Sequence, residues 1–263
     1  MPNITQGMII HDLGPLMAPG IYGSRRYASY AAMMGHYVNN VDVVFTPSEA
    51  TKLDVRRWFG VGSVHPVVAG PVLHEGQSTH EAPGDQGGAD FALYVGALLP
   101  HKNVQPVIEA FGHTSTHRSA MPDRLVIVGP RYGGEVAQAL SGAGPAVEHR
   151  GFVSDEELDQ LYRAARVVVF PSRFEGFGLP MMEALARGTA VLASDIPALR
   201  EVGGRRADYV SRPTDPQAWA EALARGHTVR PTASLMSWRE CAQAVFEGLR
   251  DARPPGNGRG PLS

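Results

Sequence analysis

The chain has 263 residues, enough for one large domain or two small ones with an ample core. Its formal net charge of −2 and its 19% charged residues argue against a polyanionic partner such as nucleic acid. The single cysteine, Cys241, excludes an internal disulfide and fits a reducing compartment.

No apolar run approaches the roughly 20 residues that span a bilayer. The start, MPNITQGMIIHD, has neither the basic opening nor the apolar core of a signal peptide. The expectation is a cytoplasmic protein. The pairs Arg25-Arg26, Arg56-Arg57 and Arg205-Arg206 add at most a weak, peripheral contact with the inner membrane face.

In chain order, MIIHDL (8–13) and DVVFTPS (42–48) read as strands followed by helix-like sequence, and HPVVAG (65–70) reads as a third strand. These belong to a first, incomplete region, 1–75. Residues 76–90, rich in Gly and polar side chains, read as a linker. From Phe91 strand and helix patterns alternate to about residue 228. The strands expected are 91–98, 124–129, 146–152, 167–170, 189–194 and 207–211. Between them, residues 155–165 place Leu158, Leu161, Tyr162 and Ala165 on one helix face, opened by a capping box of Ser154 and Glu157. Asp215-Pro216 opens a further helix. Such alternation predicts a doubly wound parallel sheet with ligands at the carboxyl ends of its strands. A last helix is expected over 229–251 and a disordered tail over 252–263.

The most informative segment is PSRFEGFGLPMMEALARGTAVLASDIPALREVGG, Pro171–Gly204. The buried strand VVVF precedes a glycine turn, Gly176-Phe177-Gly178, and Leu179-Pro180 then enters a helix that Gly188 stops. Free amides of a first helical turn and the positive end of the helix dipole make an anion site, most naturally for a diphosphate. Glu175 and Glu183 flank the turn. With Pro180 at the first helical position, Glu183 falls in the first turn. There it either complements the dipole or serves a hydroxyl-rich group beside the anion, a ribose or a sugar. Glu175 is either a solvated loop residue or part of the same site. The pair favours function.

This segment resembles the donor-site signature of the retaining glycosyltransferases with the GT-B fold, in the large family of bacterial mannosyl- and glucosyltransferases. HDLGPLMAPG and VDVVFTPSEATKLDVRRWFG resemble the last part of that family's acceptor domain. The resemblance implies a complete donor domain at 91–228 and only part of a Rossmann-like acceptor domain at 1–75. The chain is accordingly expected to begin midway through that domain, leaving an open sheet edge and an uncovered apolar face. A partner chain or a second copy is the expected cover.

The resemblance also assigns roles. Glu175 lies by the transferred sugar and Glu183 binds the nucleotide ribose. The amides around Gly176, Phe177, Gly178 and Leu179 hold the diphosphate. Lys102, in VGALLPHKNV, neutralises it, and a lysine near a helix start is itself a reason to expect a counter-anion. Relatives usually add an arginine nearby; here Ala97 and His101 occupy those places. Gly129 lets the nucleotide approach the backbone, and Phe152-Val153 present backbone groups to the base. His11 is implied as a second catalytic group facing the donor sugar, with Asp12 a turn or cap residue. Arg173 reads as a solvated side chain within reach of a phosphate.

No Asp-x-Asp pair occurs and the ten histidines show no metal-ligand spacing, so no metal and no cofactor is expected. The function implied is metal-independent sugar transfer from a nucleoside-diphosphate sugar to an unidentified acceptor, a saccharide, lipid or small molecule. The alternative is a truncated or partner-dependent chain that binds a nucleotide sugar without transferring it.

Overall fold

The computed structural model describes residues 4–60, 64–66, 90–112, 120–132, 135–227 and 238–252. The expected linker up to residue 89, the end of the third expected strand (67–70), the first part of the expected last helix (229–237) and the tail from 253 lie outside the described residues. The chain forms two compact units, Met1–Val72 with Leu235–Ser263, and Leu73–Ser234.

The first unit runs β1 (Gly7–Ile9), α1 (Gly14–Met17), α2 (Pro19–Tyr22), α3 (Ser24–Asn40), β2 (Val43–Thr46), α4 (Glu49–Phe59) and β3 (Val64–Pro66). Its strands form a parallel sheet in the order β1-β2-β3. The period of two along β2 divides the core. Val44 packs with Ile10, Leu13, Leu16, Met34, Val38 and Val55, whereas Val43 and Phe45 lie in a separate cluster. β1 is shorter than the 8–13 expected. Asp12 Oδ1 accepts from the Gly14 amide at 2.7 Å, and this Asx-type bond turns the chain into α1.

The second unit runs β4 (Phe91–Val95), α5 (Gln105–Gly112), β5 (Arg124–Val128), α6 (Glu135–Gly142), β6 (Val147–Gly151) and α7 (Asp155–Ala164). It continues with β7 (Val167–Phe170), α8 (Leu179–Ala186), β8 (Val191–Ser194), α9 (Pro197–Gly203), β9 (Asp208–Val210) and α10 (Pro216–Leu223). All six strands are parallel, in the order β6-β5-β4-β7-β8-β9. Unbroken apolar runs occupy its centre because helices cover both faces; β7 and β8 are buried at every residue. Strand growth reverses between β4 and β7, the topological switch point of a doubly wound sheet.

The caps read from sequence are made, one of them in part. The Ser154 hydroxyl accepts from the Glu157 amide at 3.1 Å, but the Glu157 carboxylate turns to Arg150 at 3.0 Å instead of closing the capping box. Asp215 caps α10 through the Gln217 amide.

The last described helix is α11 (Trp238–Asp251), which belongs to the first unit. Cys241, Ala244, Val245 and Leu249 pack on Val43 and Phe45. The Val43–Phe45 face of the first sheet is therefore covered by a helix of the chain's own. A close approach makes this possible. A Cβ at Gly248 would lie 2.6 Å from the Phe45 ring, and one at Gly7 2.8 Å from Leu249 Cδ2. The β1 edge, by contrast, has β2 as its one strand neighbour among the described residues. No described helix is long and apolar enough to cross a membrane.

Candidate functional site at the switch point

The loop after β4 is shaped by its own backbone. Gly96 and Gly129, at the ends of β4 and β5, adopt φ of 153° and 133°. A Cβ on Gly129 would collide with the Gly96 carbonyl, so only glycine lets these strand ends approach so closely. The chain then bends, and Leu98 bridges Arg131 instead of extending the strand to 98 as expected. Tyr94, fully buried, donates its hydroxyl to the Ala97 carbonyl at 3.0 Å and buttresses the bend. Burial, and after it the Glu175 charge, push the Tyr94 phenol well above its usual range, so it remains a donor.

A 3₁₀ turn, Pro100–Lys102, follows and is closed by Asn103 in the left-handed region at φ 51°. Asparagine tolerates that conformation better than most residues. Its side-chain amide also donates to the Pro171 carbonyl at 3.0 Å and the Pro213 carbonyl at 2.8 Å. The Arg173 amide donates to the His101 carbonyl at 2.9 Å, and the His101 and Phe174 rings stack at 5.0 Å. The loops after β4 and β7 are thus stitched together before any functional side chain is considered.

Between them, Lys102 Nζ donates to Glu175 Oε1 at 2.6 Å, although 73 residues separate the two in sequence. The buried Ser172 hydroxyl donates to the same oxygen at 2.6 Å. The side chains retain 24% (Lys102) and 11% (Glu175) of their exposure, so Glu175 is not the solvated loop residue of the plainer sequence reading.

The glycine turn leads directly into α8. Gly178, at φ 96°, is its N-cap residue, and a Cβ there would lie 2.8 Å from Leu199 Cδ2. The amides of Phe177, Gly178 and Leu179 make no hydrogen bond among the described residues. These are the free donors that an anion needs. The helix begins at Leu179, so Pro180 is its second residue and Glu183 its fifth. Glu183 therefore lies beyond the first turn, and the reading of it as a dipole-complementing first-turn carboxylate is corrected. Instead, Glu183 Oε2 accepts from the Tyr162 hydroxyl of α7 at 2.8 Å.

Tyr162 is fully buried, and burial, then the adjacent Glu183 carboxylate, raise its phenol far above the ordinary value. Around it, the Arg187 guanidinium lies 4.9 Å from the ring centroid and binds Asp159 Oδ1 at 2.8 Å and the Glu183 carbonyl at 3.0 Å.

At the ends of β5 and β6, the Gly129 amide donates to the Gly151 carbonyl at 2.7 Å, and the Gly129 carbonyl pairs with His149 Nε2 at 2.9 Å. Phe152, just beyond Gly151, is 83% exposed, and Val153 is partly buried. Arg173 is exposed. The structure thus brings Lys102, Glu175 and the turn Gly176–Leu179 together, with Glu183 one turn along the same helix and Gly129, Phe152 and Val153 on the same rim of strand ends. His11 belongs to the first unit, where it is exposed just past β1. Sequence reasoning missed Ser172, Asn103 and the Tyr162 hydroxyl. Only Asn103 carried a usable signal, an asparagine just past a strand–turn boundary. Among the described residues no three His, Cys, Asp or Glu side chains gather as a metal-ligand set.

The family described as "Glycosyl transferases group 1" matches residues 89–227. The O-antigen chain mannosyltransferase B of Escherichia coli is 35% identical over 169 residues, which cover 62% of this chain and 41% of that protein. The O-antigen chain mannosyltransferase RfbU of Salmonella typhimurium is 29% identical over 227 residues, covering 83% and 60%. The chain thus spans about half the length of these relatives. Among solved structures, sucrose-phosphate synthase from Thermosynechococcus elongatus aligns with a TM-score of 0.65 at 22% identity, over 94% of this chain and 63% of that one. Anabaena HepE in complex with UDP and glucose aligns with a TM-score of 0.62 at 18% identity, over 83% and 61%. At these identities the likeness establishes the fold, that of GT-B proteins.

Proposed function

The chain belongs to the glycosyl transferases of group 1, and on that premise we propose that it moves a hexose, mannose or glucose in kind, from a nucleoside-diphosphate sugar to an acceptor with retention of configuration and without a metal. One observation carries this reading: Lys102 and Glu175 meet at 2.6 Å at the switch point, beside the amides of Phe177, Gly178 and Leu179, which make no hydrogen bond among the described residues.

The chemistry needs a group that accepts negative charge as the bond from sugar C1 to the diphosphate oxygen breaks. The Lys102 ammonium, the α8 dipole and the free amides supply it where that charge develops. Glu175, fixed by Ser172 on one oxygen, is a carboxylate beside the sugar. It orients hydroxyls and favours the positive character that grows at C1 as the diphosphate leaves; the acceptor oxygen then bonds C1 and its hydroxyl proton passes to the departing diphosphate oxygen. Glu183 accepts the ribose hydroxyls, and Gly129, Phe152 and Val153 offer backbone groups to the base. His11 is the second catalytic group of the proposal. The mannosyltransferase relatives, and the UDP and glucose bound to HepE, favour a donor of this chemical kind.

A second reading is a donor-binding chain that transfers only with a partner polypeptide. The β1 edge, which has β2 as its one strand neighbour among the described residues, favours it. The two part in one experiment, incubation with a panel of UDP-, GDP- and ADP-sugars followed by mass spectrometry. Consumption of one donor supports transfer, and its loss in Glu175→Ala, with folding retained, assigns the site. Parental turnover in Glu175→Ala refutes that assignment. A donor bound but never consumed supports the second reading.

A further inference from the structure

Among the residues of α7, Tyr162 has the sequence signature of an apolar helix face, and its ring is fully buried as that signature predicts. Its hydroxyl is the part the packing does not require. We propose that Tyr162 is a positioning residue that aims the Glu183 carboxylate at the nucleotide ribose and so sets the preference for ribose over deoxyribose. The inference rests on the reading of Glu183 as the ribose partner given above.

The geometry supports it at each step. A glutamate side chain has three freely rotating bonds, and an unheld carboxylate on α8 would sample many of their combinations. The Tyr162 hydroxyl occupies Glu183 Oε2 at 2.8 Å, while Oε1 has no partner among the described residues. One oxygen is anchored and the other is presented. The anchor itself is rigid. Thr189 Oγ1 donates to the Tyr162 carbonyl at 2.6 Å, and Arg187 lies over the ring while bound to Asp159. Asp159 is in turn held by Arg163 Nε at 2.7 Å, so a chain of polar contacts runs from α7 to the carboxylate. A carboxylate only accepts hydrogen bonds, and the ribose hydroxyls are donors. A site built to accept from a hydroxyl discriminates strongly against an analogue that lacks it. That discrimination depends on the carboxylate being already in place when the ribose arrives.

Calorimetric binding of UDP, GDP and ADP, and of their 2′,3′-dideoxy counterparts, to the full chain tests this. The parent should bind the preferred ribonucleotide more tightly than its dideoxy form. Tyr162→Phe keeps the ring and removes only the hydroxyl; it should weaken ribonucleotide binding about tenfold and leave dideoxynucleotide binding unchanged. In a Glu183→Gln background the same change should add little, because the pair acts as one unit. Glu183→Asp withdraws the carboxylate from the hydroxyl with the charge kept. It should collapse the ribose preference too, and it keeps the test open if Tyr162→Phe fails to fold.

A Tyr162→Phe variant that weakens both nucleotide forms equally, or keeps the parental ratio, overturns the positioning role while leaving the ribose role of Glu183 standing. If Glu183→Gln itself preserves the ratio, or no ribonucleotide binds the parent, the ribose reading falls and the proposal with it.

Discussion

Lys102 and Glu175 pair in an environment neither wet nor dry, and that makes their coupling measurable. At 2.6 Å the Coulomb energy of two unit charges is about 1.6 kcal/mol in bulk water and about 6 kcal/mol at an effective dielectric of about 20. Desolvation offsets much of the larger figure, because the side chains keep only 24% and 11% of their exposure. A coupling of about 2 kcal/mol is therefore expected from a double-mutant cycle of Lys102→Met and Glu175→Gln. The single changes should be unequal. Lys102→Met leaves the carboxylate with Ser172 alone and should cost more than Glu175→Gln, whose amide oxygen still accepts from both donors. Urea unfolding provides the assay. A coupling of this size moves the midpoint by about 1 M for a slope of about 2 kcal/mol/M. Hydrogen exchange of the β4 and β7 amides would report this unit by itself. A coupling below about 0.5 kcal/mol would refute the picture of a switch point organised around a fixed ion pair.

Two further outcomes follow from packing and charge. Gly248→Ala places a Cβ 2.6 Å from the Phe45 ring and should cost about 1–3 kcal/mol. Protection of the β2 amides should fall while that of β4 and β7 holds, and unchanged β2 protection contradicts the close seating of α11. Against the upward push of burial, Arg163 and Arg187 hold the Asp159 carboxyl below its usual value of 3.8. A depressed carboxyl stabilises the fold above the unfolded pKa, and that contribution is lost as pH falls from about 4 through the folded value. Asp159→Asn should therefore be less stable than the parent at pH 7, with the gap in urea midpoint narrowing by pH 3. A gap independent of pH would show that the arginines do not depend on that charge.

Local patterns carried most of the fold in the second unit. VVVF became β7 at the residues expected, because a short, β-branched apolar run suits a strand buried on both faces. β4 stopped short of its expected end because Gly96 and the Tyr94 buttress bend the chain, a tertiary contact with no trace in hydrophobic periodicity. At the site, Lys102 and Glu175 were legible as candidates, yet nothing in the sequence says that they bind each other. Tyr162 shows the limit most clearly. Periodicity places its ring, and the ring is apolar; the destination of the hydroxyl depends on where α8 packs. The last helix was legible as a helix, but the face it covers lies across the whole second unit in sequence.

That separation has a consequence for how the protein is made. α11 closes the Val43–Phe45 face of the first sheet, but the ribosome must first deliver all of Leu73–Ser234. At usual elongation rates this takes roughly ten to thirty seconds. Throughout that interval the early sheet stands with one apolar side open. A chain arrested between residues 234 and 238 would carry the whole six-stranded unit and an unfinished first sheet.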